Sequence, residues 1–124
     1  MTDGEKLSMK TLFVLNDSPY GTERSYNGLR LAGSLKKRKG EEVRVFLLGD
    51  AASCAKSGQK VHSGYYSLER MLRPLTRQQG NVGVCGSCME ARGITDPELV
   101  ERAHRSTMDE LTDWTLWADR VLVF

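Results

Sequence analysis

Four short apolar runs, separated by segments with helical periodicity, constrain the fold of this chain more than any other feature. The runs are TLFVLN (11–16), EVRVFLLG (42–49), NVGVC (81–85) and DRVLVF (119–124). They are nearly continuous in apolar character instead of alternating, which is typical of strands buried on both faces of a parallel sheet. Strands that alternate with helices predict a three-layer α/β fold, in which helices cover both faces of a mostly parallel sheet.

The segments between the runs carry helix start signals. Thr22, Ser67 and Thr107 are candidate N-caps for three helices. Asp96, followed by a proline, is a fourth candidate N-cap and predicts a further helix that runs through ELVERAHR (98–105). The chain therefore shows four strands and several helices, and its opening predicts a β-α-β unit with a right-handed crossover.

Length and composition narrow the function classes. With 124 residues, 40% hydrophobic and 27% charged, the chain is expected to form a single domain over residues 1–124, with a flexible N-terminus at 1–9. Its formal charge is only +2, and the basic run KKRK (36–39) is typical of a solvated helix end, so no nucleic-acid partner is expected. The polar start resembles no signal peptide, and no apolar run is long enough to span a bilayer. These features predict a cytoplasmic protein without a membrane partner.

Polar and thiol side chains follow three of the predicted strands. Cys85 ends the third strand, Asn16 and Asp17 end the first, and Asp50 follows the second. Because the carboxyl ends of parallel strands share one edge, these side chains are expected to line the same edge. Ordinary turn residues also occupy that edge, which is the simpler explanation for Asn16, Asp17 and Asp50.

The motif CGSC (85–88) is compatible with several chemistries. In the cytoplasm most thiols stay reduced, so three cysteines indicate metal or reactive-thiol chemistry more than a disulfide framework. A zinc site normally needs a second ligand pair, and Cys54, His62 and His104 have no partner at short spacing, so no metal site is predicted. A buried structural role is expected for Cys54, and the two histidines are expected at the surface.

A reactive dithiol leaves two alternatives that the spacing does not separate. Cys85 and Cys88 can cycle to a disulfide, as in thioredoxin-like proteins. Alternatively, Cys85 accepts a sulfane sulfur as a persulfide, and Cys88 serves as the neighbouring or resolving thiol. In both cases Gly86 and Ser87 can supply amides that stabilise the thiolate, and Arg92 can add positive charge.

Four longer stretches together resemble the DsrE/DsrF-like family of small sulfur-metabolism proteins. They are VLNDSPYGTERSYNGLRLAGSL (14–35), LGDAASCAKSGQKVHSGYYSLERML (48–72), VCGSCMEARGI (84–94) and LTDWTLWADRVLVF (111–124). The resemblance implies a mostly parallel five-stranded sheet and a homotrimer or homohexamer. A fifth strand would have to arise near residues 99–103, where the capping signals predict a helix.

The resemblance also implies a function. In sulfur-relay members of the family, a cysteine at the end of the central strand carries a persulfide between donor and acceptor proteins, without a cofactor. Cys85 occupies the matching place. Cys88 has no counterpart in simple relay members, which keeps the dithiol alternative open. A further hypothesis is a non-enzymatic module that binds a metal or small ligand at a subunit interface.

Overall fold

Five parallel strands form one sheet in this computed structural model, which describes residues 8–78 and 80–124. Every strand pair is parallel, and the order across the sheet is β4-β3-β2-β1-β5. The predicted α/β fold with a parallel sheet is therefore confirmed. The strands are β1 (Met9–Leu15), β2 (Glu41–Leu47), β3 (Val82–Cys85), β4 (Ala103–Ser106) and β5 (Arg120–Val123).

Four α-helices and two short 3₁₀ segments connect the strands. The 3₁₀ segments cover Gly49–Ala55, directly after β2, and Asp96–Glu98, before β4. The α-helices are α1 (Arg24–Lys36), α2 (Leu68–Thr76), α3 (Gly86–Ala91) and α4 (Met108–Trp117).

The helices pack on both faces of the sheet, as the continuous apolar strands predict. Along β1, Phe13 belongs to the large core cluster that also contains the buried leucines of α1 and α2. Its neighbours Leu12 and Val14 belong to a smaller cluster with Trp114 of α4. Because successive strand side chains point to opposite faces, α1 and α2 lie on one face and α4 on the other.

The predicted helix through residues 98–105 is wrong. Helical structure is limited there to the 3₁₀ segment, and β4 pairs in parallel with β3. The N-cap is Thr95, whose backbone N–H donates to the Glu98 carboxylate at 2.9 Å. Arg102 then adopts a positive φ of 70°, which ends any helical path. The fifth strand implied by the family resemblance is present, and begins at Ala103.

Two of the four predicted N-caps are confirmed, and Thr95 takes the place predicted for Asp96. The hydroxyls of Ser67 and Thr107 each accept the backbone N–H three residues later, at 3.3 and 3.2 Å. Thr22 is not a cap: α1 is preceded by Glu23, which makes no side-chain capping bond. The Thr22 hydroxyl instead donates to the Asp17 carboxylate at 3.1 Å, because the loop folds back on itself before α1 begins.

A flexible N-terminus is predicted for residues 1–9, of which 1–7 lie outside the described residues. Ser8 is described, and its hydroxyl donates to the Glu42 carboxylate at 2.8 Å. β1 begins at Met9, two residues earlier than predicted. Within 8–78 and 80–124, no helix has the length and apolar character needed to cross a membrane.

Candidate functional site

Cys85 lies where β3 passes directly into α3. It is the last residue of the strand and also the residue before the first helical position, so its side chain stands beside the first turn of α3. Gly86 permits this junction, since a Cβ there would lie 3.1 Å from the Ser106 carbonyl oxygen and 3.2 Å from Arg105 Cγ. The glycine therefore lets the end of β4 pack closely against the start of α3.

Groups around the Cys85 thiol favour its charged form. Sγ lies 3.3 Å from the Ser87 hydroxyl, and the residue is half-buried. Burial is the largest single influence and raises the pKa of Cys85. Hydrogen bonds from the Cys88 side chain, the Ser87 hydroxyl and the backbone amides of both residues together outweigh burial, so the pKa falls below its usual value. Cys85 is thus a thiol suited to nucleophilic attack.

Cys88 occupies a different environment. Its Sγ accepts the backbone N–H of Gly49 at 3.1 Å, and Gly49 has a φ of +54° that favours glycine. Burial and the hydrogen bond to Cys85 raise the pKa of Cys88 more than the Gly49 N–H and the Arg92 charge lower it. Cys88 also packs against the large core, whereas Cys85 packs against the smaller cluster under α4. The two thiols of the motif therefore differ in both acidity and surroundings.

An ion pair connects the loop after β2 to the end of α3. Arg92 donates to Asp50 Oδ1 from Nη2 at 2.7 Å and from Nε at 3.1 Å, and its Nη1 donates to the Cys88 carbonyl at 3.0 Å. The Asp50 side chain is 68% exposed, so the pair adds little stability and serves mainly to hold the loop that carries Gly49. The Arg92 charge lowers the pKa of Cys88, which places its electrostatic effect on the second thiol.

A cleft of about 390 Å³ adjoins Cys85 on the α4 side of the sheet. Apolar side chains from β2 and α4 line part of it, and polar groups from α3 and β4 line the rest. They include Phe46, Leu48, Met108, Glu90, Arg105 and Ser106. Arg105 and Ser106 belong to β4, where the sequence predicts a helix, so the sequence did not predict this wall of the cleft.

Comparisons with known proteins agree with this architecture. The model of the DsrE/DsrF-like family matches residues 9–124. The chain belongs to the DsrE/DsrF-like family. Protein YchN of Escherichia coli is 40% identical over 116 residues, covering 93% of this chain and 98% of YchN. A Methanopyrus kandleri protein is 35% identical over 111 residues, covering 90% of each chain. The crystal structure of E. coli YchN matches with a TM-score of 0.86 and 39% identity, over 94% of this chain and 99% of that one.

Asn16 and Asp17 of this DsrE/DsrF-like chain follow β1, and their contacts lie away from the dithiol. Asn16 donates from Nδ2 to the Phe124 carbonyl at 3.3 Å, and its backbone N–H donates to the same oxygen at 2.9 Å. The Asp17 carboxylate accepts the Thr22 hydroxyl and lies 3.7 Å from Arg24. These contacts fit the simpler explanation of both residues as turn residues.

The remaining cysteine and the histidines of this DsrE/DsrF-like domain lie apart from the motif. Cys54 is fully buried, and burial raises its pKa to about 12. His62 is exposed, and His104 is partly exposed and hydrogen-bonded to Glu110. Within the described part of the chain, no three His, Cys, Asp or Glu side chains come together as metal ligands.

Proposed function

We propose that this protein accepts sulfane sulfur as a persulfide on Cys85 and transfers it to the thiol of an acceptor protein. The observation that carries the proposal is the surroundings of Cys85: a lowered pKa at a strand-to-helix junction, beside a cleft that gives access to the thiol. Family membership adds support, because sulfur-relay members carry sulfur on a cysteine at the same strand end. Cytoplasmic location and dedicated donor and acceptor proteins are part of this proposal.

The chemistry consists of two thiol exchange steps. In loading, the Cys85 thiolate attacks the outer sulfur of a donor such as thiosulfate; a new S–S bond forms, and sulfite leaves with the electron pair. In transfer, the acceptor thiolate attacks the outer sulfur of the Cys85 persulfide, and the Cys85 thiolate leaves. Loading needs Cys85 as the attacking thiolate, and transfer needs it as the leaving thiolate; a low pKa increases the thiolate population for the first step and improves the leaving group in the second.

Cys88 serves as the resolving thiol. When its thiolate attacks the inner sulfur of the persulfide, hydrosulfide leaves and a disulfide joins Cys85 to Cys88. Burial is the largest influence on Cys88 and raises its pKa whether or not Cys85 carries sulfur, and this keeps the attack slow because only the thiolate attacks. Sulfur therefore stays on Cys85 until an acceptor arrives.

Intact mass measurement tests the proposal. The reduced protein is incubated with thiosulfate or polysulfide, and an increase by the mass of one sulfur atom is expected. Cys85→Ser should abolish the increase, whereas Cys88→Ser should keep it and lose the capacity to form the internal disulfide. Absence of sulfur uptake from every donor tested would refute sulfur carriage.

A thiol-disulfide redox protein is the second candidate, and it is favoured because each cysteine side chain shifts the pKa of the other. The same experiment separates the two functions, since oxidation to the disulfide without sulfur uptake would support the redox function. Zinc in the purified protein would support the metal-binding alternative instead.

A homotrimer or homohexamer is also proposed. Large apolar side chains are exposed on α4 and β5, with exposures of 63% at Met108, 82% at Leu116, 40% at Val121 and 65% at Val123. β5 is an edge strand, so no strand of the described residues pairs with its outer side. Apolar exposure beside an open edge is typical of a subunit interface. Sedimentation velocity should show an oligomer, and Leu116→Glu should dissociate it.

A further inference from the structure

The largest cleft among those described lies far from the thiols, between α1 and α2, with a volume of about 760 Å³. Its floor is aliphatic and formed by Leu29, Gly33, Met71 and Pro74. α1 ends before β2 begins and α2 ends before β3 begins, so the basic end of this cleft lies at the amino edge of the sheet. Cys85 lies at the carboxyl edge, and the cleft is therefore not part of the dithiol site.

Four basic side chains, Arg30, Lys36, Lys37 and Arg77, form the rim of this cleft. None of the described lining residues carries a carboxylate, and within residues 8–78 and 80–124 none of the four forms an ion pair. Arg30 donates to an asparagine and Lys36 to a glutamine. The charge of the rim is thus not neutralised by any carboxylate among the described residues.

Gly33 keeps the floor of the cleft open. A glycine inside a helix costs about 0.5–1 kcal/mol relative to alanine. Gly28 in the same helix has a packing reason, since a Cβ there would lie 2.6 Å from Leu15 Cδ2. A Cβ at Gly33 would have no heavy atom within 4 Å, and this glycine has no positive φ. Packing inside the subunit therefore does not require a glycine at this position, and the missing side chain leaves space in the cleft.

We infer that the cleft between α1 and α2 binds an acidic, amphipathic helical segment of a partner protein. The basic rim complements acidic side chains, and the aliphatic floor takes the apolar face of a helix, as in other helix-in-groove complexes. The described lining contains no aromatic ring, so the cleft lacks the stacking platform typical of single-stranded nucleic-acid binding. Like charges along the rim also oppose pairing of this face with its own copy.

Fluorescence anisotropy with a labelled, designed helical peptide tests this inference. The peptide has leucine on one face and glutamate on the other. Two control probes are compared with it: the same peptide with serine in place of each leucine, and an oligouridylate. The wild-type protein is expected to bind the leucine peptide about tenfold more tightly than either matched probe. Equal binding of the serine peptide, or tighter binding of oligouridylate, would overturn the inference.

Variants locate the binding to the cleft. Gly33→Leu fills the floor and should abolish binding, with a melting temperature equal to or above that of the wild type. Lys37→Glu combined with Arg77→Glu should weaken binding by about tenfold or more, because two attractions become repulsions. The control Lys60→Glu makes one such charge change on another surface and should leave binding unchanged. A folded Gly33→Leu variant that binds like the wild type, or a change of oligomer size in the double variant, would overturn the inference.

Discussion

The three cysteines are expected to react with iodoacetamide in the order Cys85, Cys88, Cys54. Only the thiolate attacks, so the order follows the acidity of each thiol. Burial raises the pKa of Cys54 from 9.0 to about 12, and this reduces its thiolate population near neutral pH by about a thousandfold. Hydrogen bonds lower the pKa of Cys85, and burial with the bond to Cys85 raises that of Cys88.

The pH dependence of alkylation shows whether the pKa of each cysteine is raised or lowered. Alkylation increases as the pH passes the pKa of a thiol, so the profile of Cys85 should rise at a lower pH than that of free cysteine. Peptide mapping after brief alkylation over a series of pH values measures all three positions in one sample. Denatured protein is the control, in which the three rates should converge.

The variant Cys85→Ala tests directly whether Cys85 raises the pKa of Cys88. The first thiol raises the pKa of Cys88 through a hydrogen bond and through its charge. Removing it should therefore make Cys88 more reactive than in the wild type, although half of the dithiol is gone. Slower or unchanged alkylation of Cys88 in this variant would refute the effect of Cys85 on the pKa of Cys88. Alkylation of Cys88 before Cys85 in the wild type would refute the predicted order.

Two further predictions concern a helix and the site. Gly28→Ala should destabilise the protein by about 1–3 kcal/mol in urea unfolding, because the new Cβ would lie 2.6 Å from Leu15 Cδ2 in a packed core. Gly33→Ala in the same helix should stabilise it by about 0.5–1 kcal/mol, and equal signs for the pair would contradict the packing described. Ser87→Ala should move the alkylation profile of Cys85 to higher pH, whereas Ser87→Thr, which keeps the hydroxyl, should not.

The sequence was sufficient for the parallel sheet and for the position of Cys85, because both depend on local signals. Continuous apolar runs identified four of the five strands, and a strand that ends in a cysteine fixes that thiol at the carboxyl edge. The remaining strand, β4, was not predicted because it is a short edge strand with the polar sequence AHRS. It pairs on one side only, so it needs no apolar run, and the nearby Asp-Pro signal favoured a helix.

The buried face of α1 was also only partly predicted. The i, i+3, i+4, i+7 spacing predicts a helical face formed by Gly28, Leu31, Ala32 and Leu35. Gly28 and Ala32 are buried, in agreement with this spacing, but Leu29 is buried as well and Leu31 is 41% exposed. Three leucines at 29, 31 and 35 fit two overlapping apolar stripes, and tertiary packing decides between them.

Contacts between loops that lie far apart in the chain could not be predicted from the sequence. The amide of Gly49 that binds Cys88, and the Asp50 carboxylate that binds Arg92, lie about forty residues from their partners. The sequence placed Asp50 at the correct edge and proposed Arg92 as a charge near Cys85. It contained no signal that the charge acts on Cys88, because that depends on how the loop after β2 folds over α3.

The inequality of the two thiols has a structural origin that bears on the proposed sulfur chemistry. The Cys85 thiolate accepts hydrogen bonds from backbone amides in the first turn of α3, whereas Cys88 accepts one from the segment after β2. Because different elements supply the backbone amides that stabilise the two thiolates, movement of that loop can change the acidity of Cys88 without dismantling the first turn of α3. A partner that displaced Gly49 would remove the one backbone amide that lowers the pKa of Cys88, and so slow the attack that expels hydrosulfide. Under the proposed function, partner docking at this edge would therefore protect the persulfide while it is being transferred.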